Sequence, residues 1–253
     1  MHINLRRELL ALLFAAAPLS AQTPGTGEQL LAAMHDRYAA AWYRTLAFVQ
    51  KSVWYKADGS EARVQTWYEA MSSPGKLRID MGGGPERSGA IFRGDSTYSF
   101  AADTLVRATG DRNLLLVLGF DVYTQPVEHT ERVLSEEGID LSRVHRDEFE
   151  GRPVYVVGAL PGDTVSKQFW VDAGRLLFVR LIAPNRAGTA VQDVRFDKYV
   201  ERPGGWLAEQ VRVLAGGRLA YEEDYRDVRV NVALDPRLWD PAAWASVPAW
   251  WKK

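Results

Sequence analysis

The sequence predicts a mainly β protein with some α-helix, built on an antiparallel sheet with an N-terminal helix and a short internal helix. Three observations support this: short runs of β-branched and aromatic residues, turns rich in Gly and Asp between them, and no regular alternation of strands with helices. Because parallel strands need long crossover connections, the pattern favours an antiparallel sheet of about eleven strands.

The stretch Gly151–Ala183 shows the pattern most clearly. Its three strand-like runs are separated by Pro161-Gly162-Asp163 and Asp172-Ala173-Gly174, residue types that tolerate the dihedral angles of turns. This spacing predicts two consecutive hairpins. The candidate strands of the chain are Phe48–Tyr55, Val64–Ala70, Lys76–Met81, Gly89–Arg93, Thr97–Phe100, Val154–Ala159, Lys167–Asp172, Leu176–Ile182, Val191–Val200, Trp206–Leu214 and Arg218–Val230.

The composition narrows the possible chemistry. Of 253 residues, 47% are hydrophobic and 25% charged, and the formal net charge of -1 gives no global attraction for nucleic acid or an anionic membrane. Cysteine is absent, which excludes disulfides, thiolate metal sites, cysteine nucleophiles and a lipid anchor on cysteine. We expect a monomer that binds no nucleic acid and needs neither a metal nor another cofactor.

The N-terminus has the pattern of an export signal. Arg6 and Arg7 precede the apolar run Leu9–Leu19, and small residues follow up to Ala21. The run is short for a transmembrane helix, so a buried or membrane-anchoring helix is the weaker alternative. We expect residues 1–21 to be a signal peptide that directs the protein to the periplasm.

Two helices are predicted, and each has an apolar surface to bury. Thr26 followed by Gln29 forms a capping box at the start of the first helix. Its apolar stripe repeats at helical spacing and fits the concave face of a sheet. Residues 113–118 are apolar all round, which is typical of a short helix that packs on both sides. This second helix is a candidate lid.

Two further segments depart from the strand pattern. Thr124–Arg146 is polar and charged, and a loop is predicted at residues 136–138. Residues 235–253 contain three prolines, which exclude a long regular element, and four tryptophans, which are too apolar to be left in water. The favoured interpretation is a strap over the sheet, with a membrane-interface anchor or a partner-binding segment as alternatives. Residues 22–234 then form the main domain.

Motifs for catalysis are missing from the sequence. It has no G-x-S-x-G, H-E-x-x-H, Walker or dinucleotide-binding pattern. Carboxylates are abundant, but Glu222-Glu223-Asp224 and the pair Asp193 and Asp197 have the spacing of solvated strand faces. The chain is therefore predicted not to be an enzyme, and a secreted hydrolase with paired carboxylates is the third hypothesis for its function.

Four short motifs follow one another in a known order. Phe48-Val49-Gln50-Lys51 is similar to an F-x-Q-K first strand, and Ser73–Arg78 resembles a proline-led strand entry. Phe92–Phe100 is similar to a D-G-K-x-x-W-x-Y hairpin, and Lys167–Asp172 to a later strand and turn. In this order, over about Glu28–Val230, the chain resembles the periplasmic outer-membrane lipoprotein carriers and their lipoprotein-sorting relatives, the LolA/LolB-like family.

The resemblance implies an unclosed antiparallel β-barrel whose helices act as a lid over an apolar cavity. It implies a carrier that shields acyl chains of a lipid or lipoprotein cargo on the way to the outer membrane. Inner-membrane release machinery and an outer-membrane receptor would be its partners. An envelope-stress sensor with the same fold, which binds a regulatory partner, is the alternative function. Relatives latch the lid with an arginine where this chain has Ser73, and Arg78 is the candidate substitute.

The candidate cavity residues come from both helices and from the sheet. They are Leu30, Met34, Tyr38 and Trp42 of the first helix, Leu114, Leu115 and Leu118 of the lid, and Phe48, Trp54, Phe169 and Phe178 of the wall. Because side chains alternate between the faces of a strand, a register shift of one residue would move the wall residues to the other face. The competing hypothesis is that the helices fill the inner face and leave no cavity.

Overall fold

The computed structural model describes residues 23–82, 87–185 and 188–252, and within these the β-strands form one antiparallel sheet of thirteen. The predicted signal peptide lies outside the described residues. The strands are β1 (Thr45–Tyr55), β2 (Glu61–Ser72), β3 (Lys76–Met81), β4 (Ser88–Arg93), β5 (Ser96–Ala101), β6 (Thr104–Thr109), β7 (Val144–Phe149), β8 (Arg152–Val157), β9 (Gln168–Asp172), β10 (Phe178–Pro184), β11 (Val191–Arg202), β12 (Gly205–Ala215) and β13 (Arg218–Val230).

The sheet is an unclosed barrel. Strands that are consecutive in sequence pair with each other, except β6 and β7, and the pairing of β1 with β13 joins the two halves. Strands β6 and β7 lie at the two ends of the strand order, so neither closes the barrel. The segment that connects these two edges holds the helices α2 (Leu114–Gly119) and α3 (Val127–Glu136), and α1 (Gly27–Tyr38) precedes the sheet. The predicted fold class is confirmed.

The two strands that the sequence prediction missed are the edges of the sheet. Thr104–Thr109 is exposed along most of its length, and Val144–Phe149 is mostly polar. An edge strand without a buried face needs no alternation of apolar and polar residues, and charges on it discourage pairing with other chains. The segment predicted as polar with a loop also contains a helix, Val127–Glu136, whose buried side includes Val133 and Leu134.

The first helix begins where the capping box predicts and ends earlier than its apolar stripe. Thr26 is the N-cap, and its Oγ1 accepts a hydrogen bond from the N–H of Gln29 at 3.4 Å. The helix ends at Tyr38, so Trp42 is not part of it, which corrects the four-residue stripe. Trp42 is nevertheless buried, because its ring stacks on Tyr123 with centroids 4.0 Å apart.

The main core lies on the inner face of the sheet, defined here as the face on which α1 and α2 pack. The tail packs on the other face, the outer face, over its described residues 235–251. There Leu238, Trp239 and Val247 form a cluster with Ala70, and Trp244 stacks on Phe100 with centroids 4.2 Å apart. This is the arrangement that the strap interpretation predicts for the tail.

Candidate functional site

The inner face holds a small cavity under α2, which we call the lid helix. The inner cavity has a volume of about 80 Å³. It is far smaller than the roughly 300–1,000 Å³ of most small-molecule sites, so it cannot take an acyl chain without movement. Its apolar walls are Phe48, Met71, Leu77, Ile79 and Phe196 from the sheet, and Leu115, Leu116 and Phe120 from the lid segment.

A wider depression of about 570 Å³ lies on the other side of the lid helix, and we call it the outer opening. It is lined by Phe92, Leu181 and Val194 of the sheet and by Leu114 of the lid helix, among others. Asn113 and Leu115 contribute to both the inner cavity and the outer opening. The start of the lid helix is therefore the partition between a closed apolar space and an open one.

Local contacts at both ends hold the lid helix in place. At its start, the Asn113 Oδ1 accepts hydrogen bonds from the N–H groups of Leu115 and Leu116 at 3.0 and 3.2 Å. Just after its end, buried Asp121 accepts hydrogen bonds from the Ser73 hydroxyl at 2.9 Å and from the Gly75 N–H at 3.0 Å. Asp121 therefore ties the end of the lid segment to the turn before β3.

The Asp121 carboxyl is perturbed by its surroundings. Burial raises the pKa of Asp121 to about 7, although the hydrogen bonds from Gly75 and Ser73 favour the charged form. Ser73 occupies the position at which the resemblance places a lid-latching arginine. The structure therefore places a hydroxyl–carboxylate contact, rather than an arginine, between this turn and the lid segment.

Arg78 does not hold the lid, which corrects the latch prediction. Its fully buried guanidinium makes two hydrogen bonds to Asp80, at 2.7 and 2.9 Å, and lies 4.0 Å from the centroid of the Trp244 ring. These contacts are on the outer face, under the tail. The alternation of side chains along β3 puts Leu77 and Ile79 inside and Arg78 outside, so the lid helix is out of its reach.

The predicted cavity residues are distributed over three environments. Phe48 and Leu115 line the inner cavity, while Leu114 and Leu115 line the outer opening. The fully buried core holds Leu30, Met34, Leu118, Phe169 and Phe178, with Trp42 nearly so. Tyr38 is half-buried, and its hydroxyl donates to the Arg175 carbonyl at 2.5 Å. Their role in ligand binding stays a prediction.

Trp54 lies farther along the inner face, where the strands extend past the lid helix. Its ring contacts Trp67 and Tyr221 at centroid distances of 5.6 and 4.9 Å, and the Arg63 guanidinium lies 3.7 Å from its ring centroid. This half-buried aromatic group is separate from the residues that line the inner cavity.

The sequence reasoning missed a polar group in the wall of the inner cavity. Glu69 and Glu223 both line it, together with Tyr225. The Tyr225 hydroxyl donates a hydrogen bond to Glu223 Oε2 at 2.6 Å, and Gln50 lies opposite Tyr225 in the pairing of β1 with β13. The prediction that Glu223 belongs to a solvated face is wrong, because Tyr221, Glu223 and Tyr225 point into the barrel.

Burial dominates the electrostatics of these carboxyls. Burial raises the pKa of Glu69 well above its usual range, and the charge of Glu223 raises it further. Burial also raises the pKa of Glu223, against the hydrogen bond from Tyr225, which favours the charged form. Along β13, Tyr221, Glu223 and Tyr225 alternate with the charged residues Glu222 and Asp224. The sequence signal for a buried carboxyl was therefore an acid with a tyrosine two residues away on each side.

The described residues contain neither a metal-ligand cluster nor a membrane-spanning helix. In residues 23–82, 87–185 and 188–252 there is no group of three or more His, Asp or Glu side chains placed to hold a metal ion. Over the same part of the chain, no helix is both long and apolar enough to cross a membrane.

Comparison with known proteins gives the fold and no close relative. No protein-family model matches the chain, and no curated protein matches it significantly. Among solved structures, it is similar to a domain described as an outer membrane lipoprotein-sorting protein from Vibrio parahaemolyticus, with TM-score 0.54, 11% identity and coverage of 85% of this chain and 97% of that one.

Two further structures are similar over almost their whole length. A LolA superfamily protein from Nitrosomonas europaea matches with TM-score 0.51 and 10% identity, covering 84% of this chain and 97% of that chain. A DUF1329 family protein from Desulfovibrio piger matches with TM-score 0.54 and 15% identity, covering 86% and 97%. The protein is therefore a half-barrel of the LolA-like fold, as the sequence resemblance predicts.

Proposed function

We propose that the protein is a periplasmic carrier that holds the apolar chains of a lipid or lipoprotein on the inner face of its half-barrel. The supporting observation is the position of the lid helix, an apolar segment that separates a closed apolar cavity from a wide opening through Asn113 and Leu115. Displacement of this helix joins the two spaces into one groove.

The energetics favour exchange of the lid helix for a cargo chain. Each methylene of an acyl chain that leaves water contributes about 0.8 kcal/mol, so a long chain repays the exposure of several leucines. The lid helix has only six residues, and a helix this short has little stability of its own. Its closed position depends on the apolar contacts that a cargo chain would replace.

The proposal includes export, a non-enzymatic role and transfer partners. The predicted signal peptide delivers the protein to the periplasm, where a lipid with long chains needs a shield from water. Release from the inner membrane and delivery to the outer membrane would each need a docking partner. The similar structures support this proposal through their fold, and one of them is described as a lipoprotein-sorting domain.

Binding of an uncharged apolar probe tests the proposal. The fluorescence of N-phenyl-1-naphthylamine should rise when it enters the inner groove of the purified mature protein. Leu115→Trp should reduce this binding, because the larger ring fills the passage shared by the inner cavity and the outer opening. Leu160→Trp is the matched control, since Leu160 is 59% exposed and lines neither space.

Two outcomes would reject the carrier function. If the folded wild-type protein binds no probe, or if both tryptophan variants bind it as the wild type does, the inner face is not a cargo site. A tight complex with a peptide and no lipid would then favour the regulatory, sensor-like function.

A further inference from the structure

The inner cavity contains hydrogen-bond acceptors that the protein leaves without donors. Glu69 is 5% exposed, and within the described residues no hydrogen bond or ion pair reaches its carboxyl group. Gln50 is 1% exposed, and its Oε1 has no hydrogen-bond partner. Gln50 lies on the same face of β1 as Phe48, opposite Tyr225, and does not itself line the cavity. A buried acceptor without a donor costs free energy, so it requires an explanation.

Two other buried acids of the described residues have arginine partners, and these two do not. Asp80 is paired with Arg78, and Asp197 with Arg212 at 2.6 Å. The described residues that line the inner cavity include Glu69 and Glu223 but no Lys, Arg or His. The chain therefore neutralises acids elsewhere with arginine, while this pair is left facing an apolar space.

The missing partner is best supplied by a ligand. A cavity of about 80 Å³ suits a group of a few heavy atoms, since one water occupies roughly 30 Å³ of liquid. An ammonium group is about this size, carries three N–H donors and no acceptor, and has the charge that a carboxylate pair prefers. Beyond it, Leu115 and the apolar side chains of the outer opening, Phe92, Leu114, Leu181 and Val194, supply surface for a chain attached to that group.

We propose that the inner cavity is a binding site for the cationic nitrogen of an amphiphile, with Glu69 and Glu223 accepting its N–H groups. The inference rests on the proposed carrier function and names the class of cargo: a long apolar chain that ends in a primary ammonium. The chain runs from the inner cavity past Asn113 and Leu115 into the outer opening once the lid helix has moved.

The electrostatics of the two carboxyls agree with this assignment. Burial raises the pKa of both carboxyls, and a cation bound beside them favours their charged forms. The groups that face the pair are the hydroxyls of Tyr221 and Tyr225 and the Gln50 amide. An ammonium ion therefore meets no basic side chain of the described residues in the cavity.

Isothermal titration of the mature protein with decylamine, decan-1-ol and decanoate at pH 7.5, below their micelle concentrations, tests the assignment. Decylamine should bind roughly tenfold or more tightly than the alcohol, because charged hydrogen bonds are the stronger ones, and decanoate should bind most weakly. Glu69→Gln and Glu223→Gln should remove the preference for the amine and leave alcohol binding intact. Glu222→Gln, the adjacent acid on the opposite face of β13, should change nothing.

Each other outcome is decisive. Equal binding of the three compounds, or an amine preference that survives both glutamine variants, overturns the cationic site and leaves the carrier function standing. Failure of folded wild-type protein to bind any of the three overturns both proposals. Thermal melting of each variant separates loss of a ligand contact from loss of the fold, because a merely structural pair would lower the melting temperature on substitution.

Discussion

Three side chains on the inner face of β1, β2 and β13 meet in the wall of the inner cavity. Phe48, Glu69 and Glu223 meet there because antiparallel pairing brings β2 and β13 to the two sides of β1. Phe48 was predictable as an inward residue from its position in an apolar strand. The carboxyls were not, because an acid in a strand is usually solvated, and only long-range pairing shows that β13 is a central strand.

Glu69→Gln should stabilise the protein. The glutamine amide buries no charge beside Glu223, and its N–H groups are donors for the Glu223 carboxyl. We expect a gain of about 1–2 kcal/mol in the free energy of unfolding, or roughly 2–4 °C in melting temperature for each kcal/mol. Calorimetry at pH 7.5 measures it, with Glu222→Gln as the unchanged control. A lower melting temperature would mean that Glu69 supports the fold.

Asp121 should make stability fall as the pH rises. Its pKa is about 7 in the folded protein and about 3.9 in an unfolded chain. The native state therefore holds the proton more tightly, and the free energy of unfolding falls between about pH 4 and pH 7 and then levels off. The change is on the order of 4 kcal/mol.

Urea unfolding at pH 4.5 and 7.5 isolates this effect. Asp121→Asn should flatten the pH dependence, since its amide can still accept from Gly75 and donate to the Ser73 hydroxyl. Asp140→Asn is the control, because Asp140 is exposed and a hydrogen bond from Ser142 lowers its pKa. If the free energy of unfolding of Asp121→Asn depended on pH as that of the wild type does, the pKa of Asp121 would not be raised in the folded protein.

At the scale of elements, the lid helix and the tail occupy opposite faces of the same strands. The sequence predicted both elements from composition, through an all-round apolar run and a group of tryptophans between prolines. It could not predict which face each would cover, because that depends on strand register. Arg78 shows the consequence: one position along β3 separates an inward Leu77 from an arginine that is bound beneath the tail.

Arg78→Ala should destabilise the protein without changing uptake by the folded fraction. It leaves Asp80 buried without its charged partner, which costs about 3–5 kcal/mol in the free energy of unfolding. Arg143→Ala breaks an exposed ion pair with Asp140 and should cost less than about 1 kcal/mol. Urea unfolding and N-phenyl-1-naphthylamine binding test both parts. Altered probe affinity in folded Arg78→Ala would restore a latch role.

Asn113→Ala should accelerate cargo entry. Loss of the N-cap costs about 1 kcal/mol and raises the population of the displaced lid helix about fivefold. Stopped-flow fluorescence with the same probe should show faster uptake. Thr26→Ala removes the N-cap of α1 at a similar cost, and it should leave the uptake rate unchanged. Equal rates in the two variants would indicate that the lid helix does not control entry.

At the scale of the whole molecule, the described residues form an unclosed sheet whose inner face is largely filled, with the inner cavity and the outer opening beside the lid helix. All eleven candidate strands correspond to strands in the sheet, because a buried face imposes an alternation of apolar and polar residues. The missing two are edges, where no such constraint acts. The sequence also left open whether the helices fill the inner face. Packing of Leu30, Met34 and Leu118 at zero exposure shows that they mostly do.

The proposed carrier function makes one claim about the whole protein: in its own cell envelope, it carries a bound lipid. Native mass spectrometry of the mature protein, purified without detergent from that envelope, tests this most directly. We predict a population of protein that carries one acylated amphiphile, which a solvent extract then identifies, and loss of this mass in Leu115→Trp. A wild-type protein that is wholly free of lipid, or that carries only a bound polypeptide, would contradict the account.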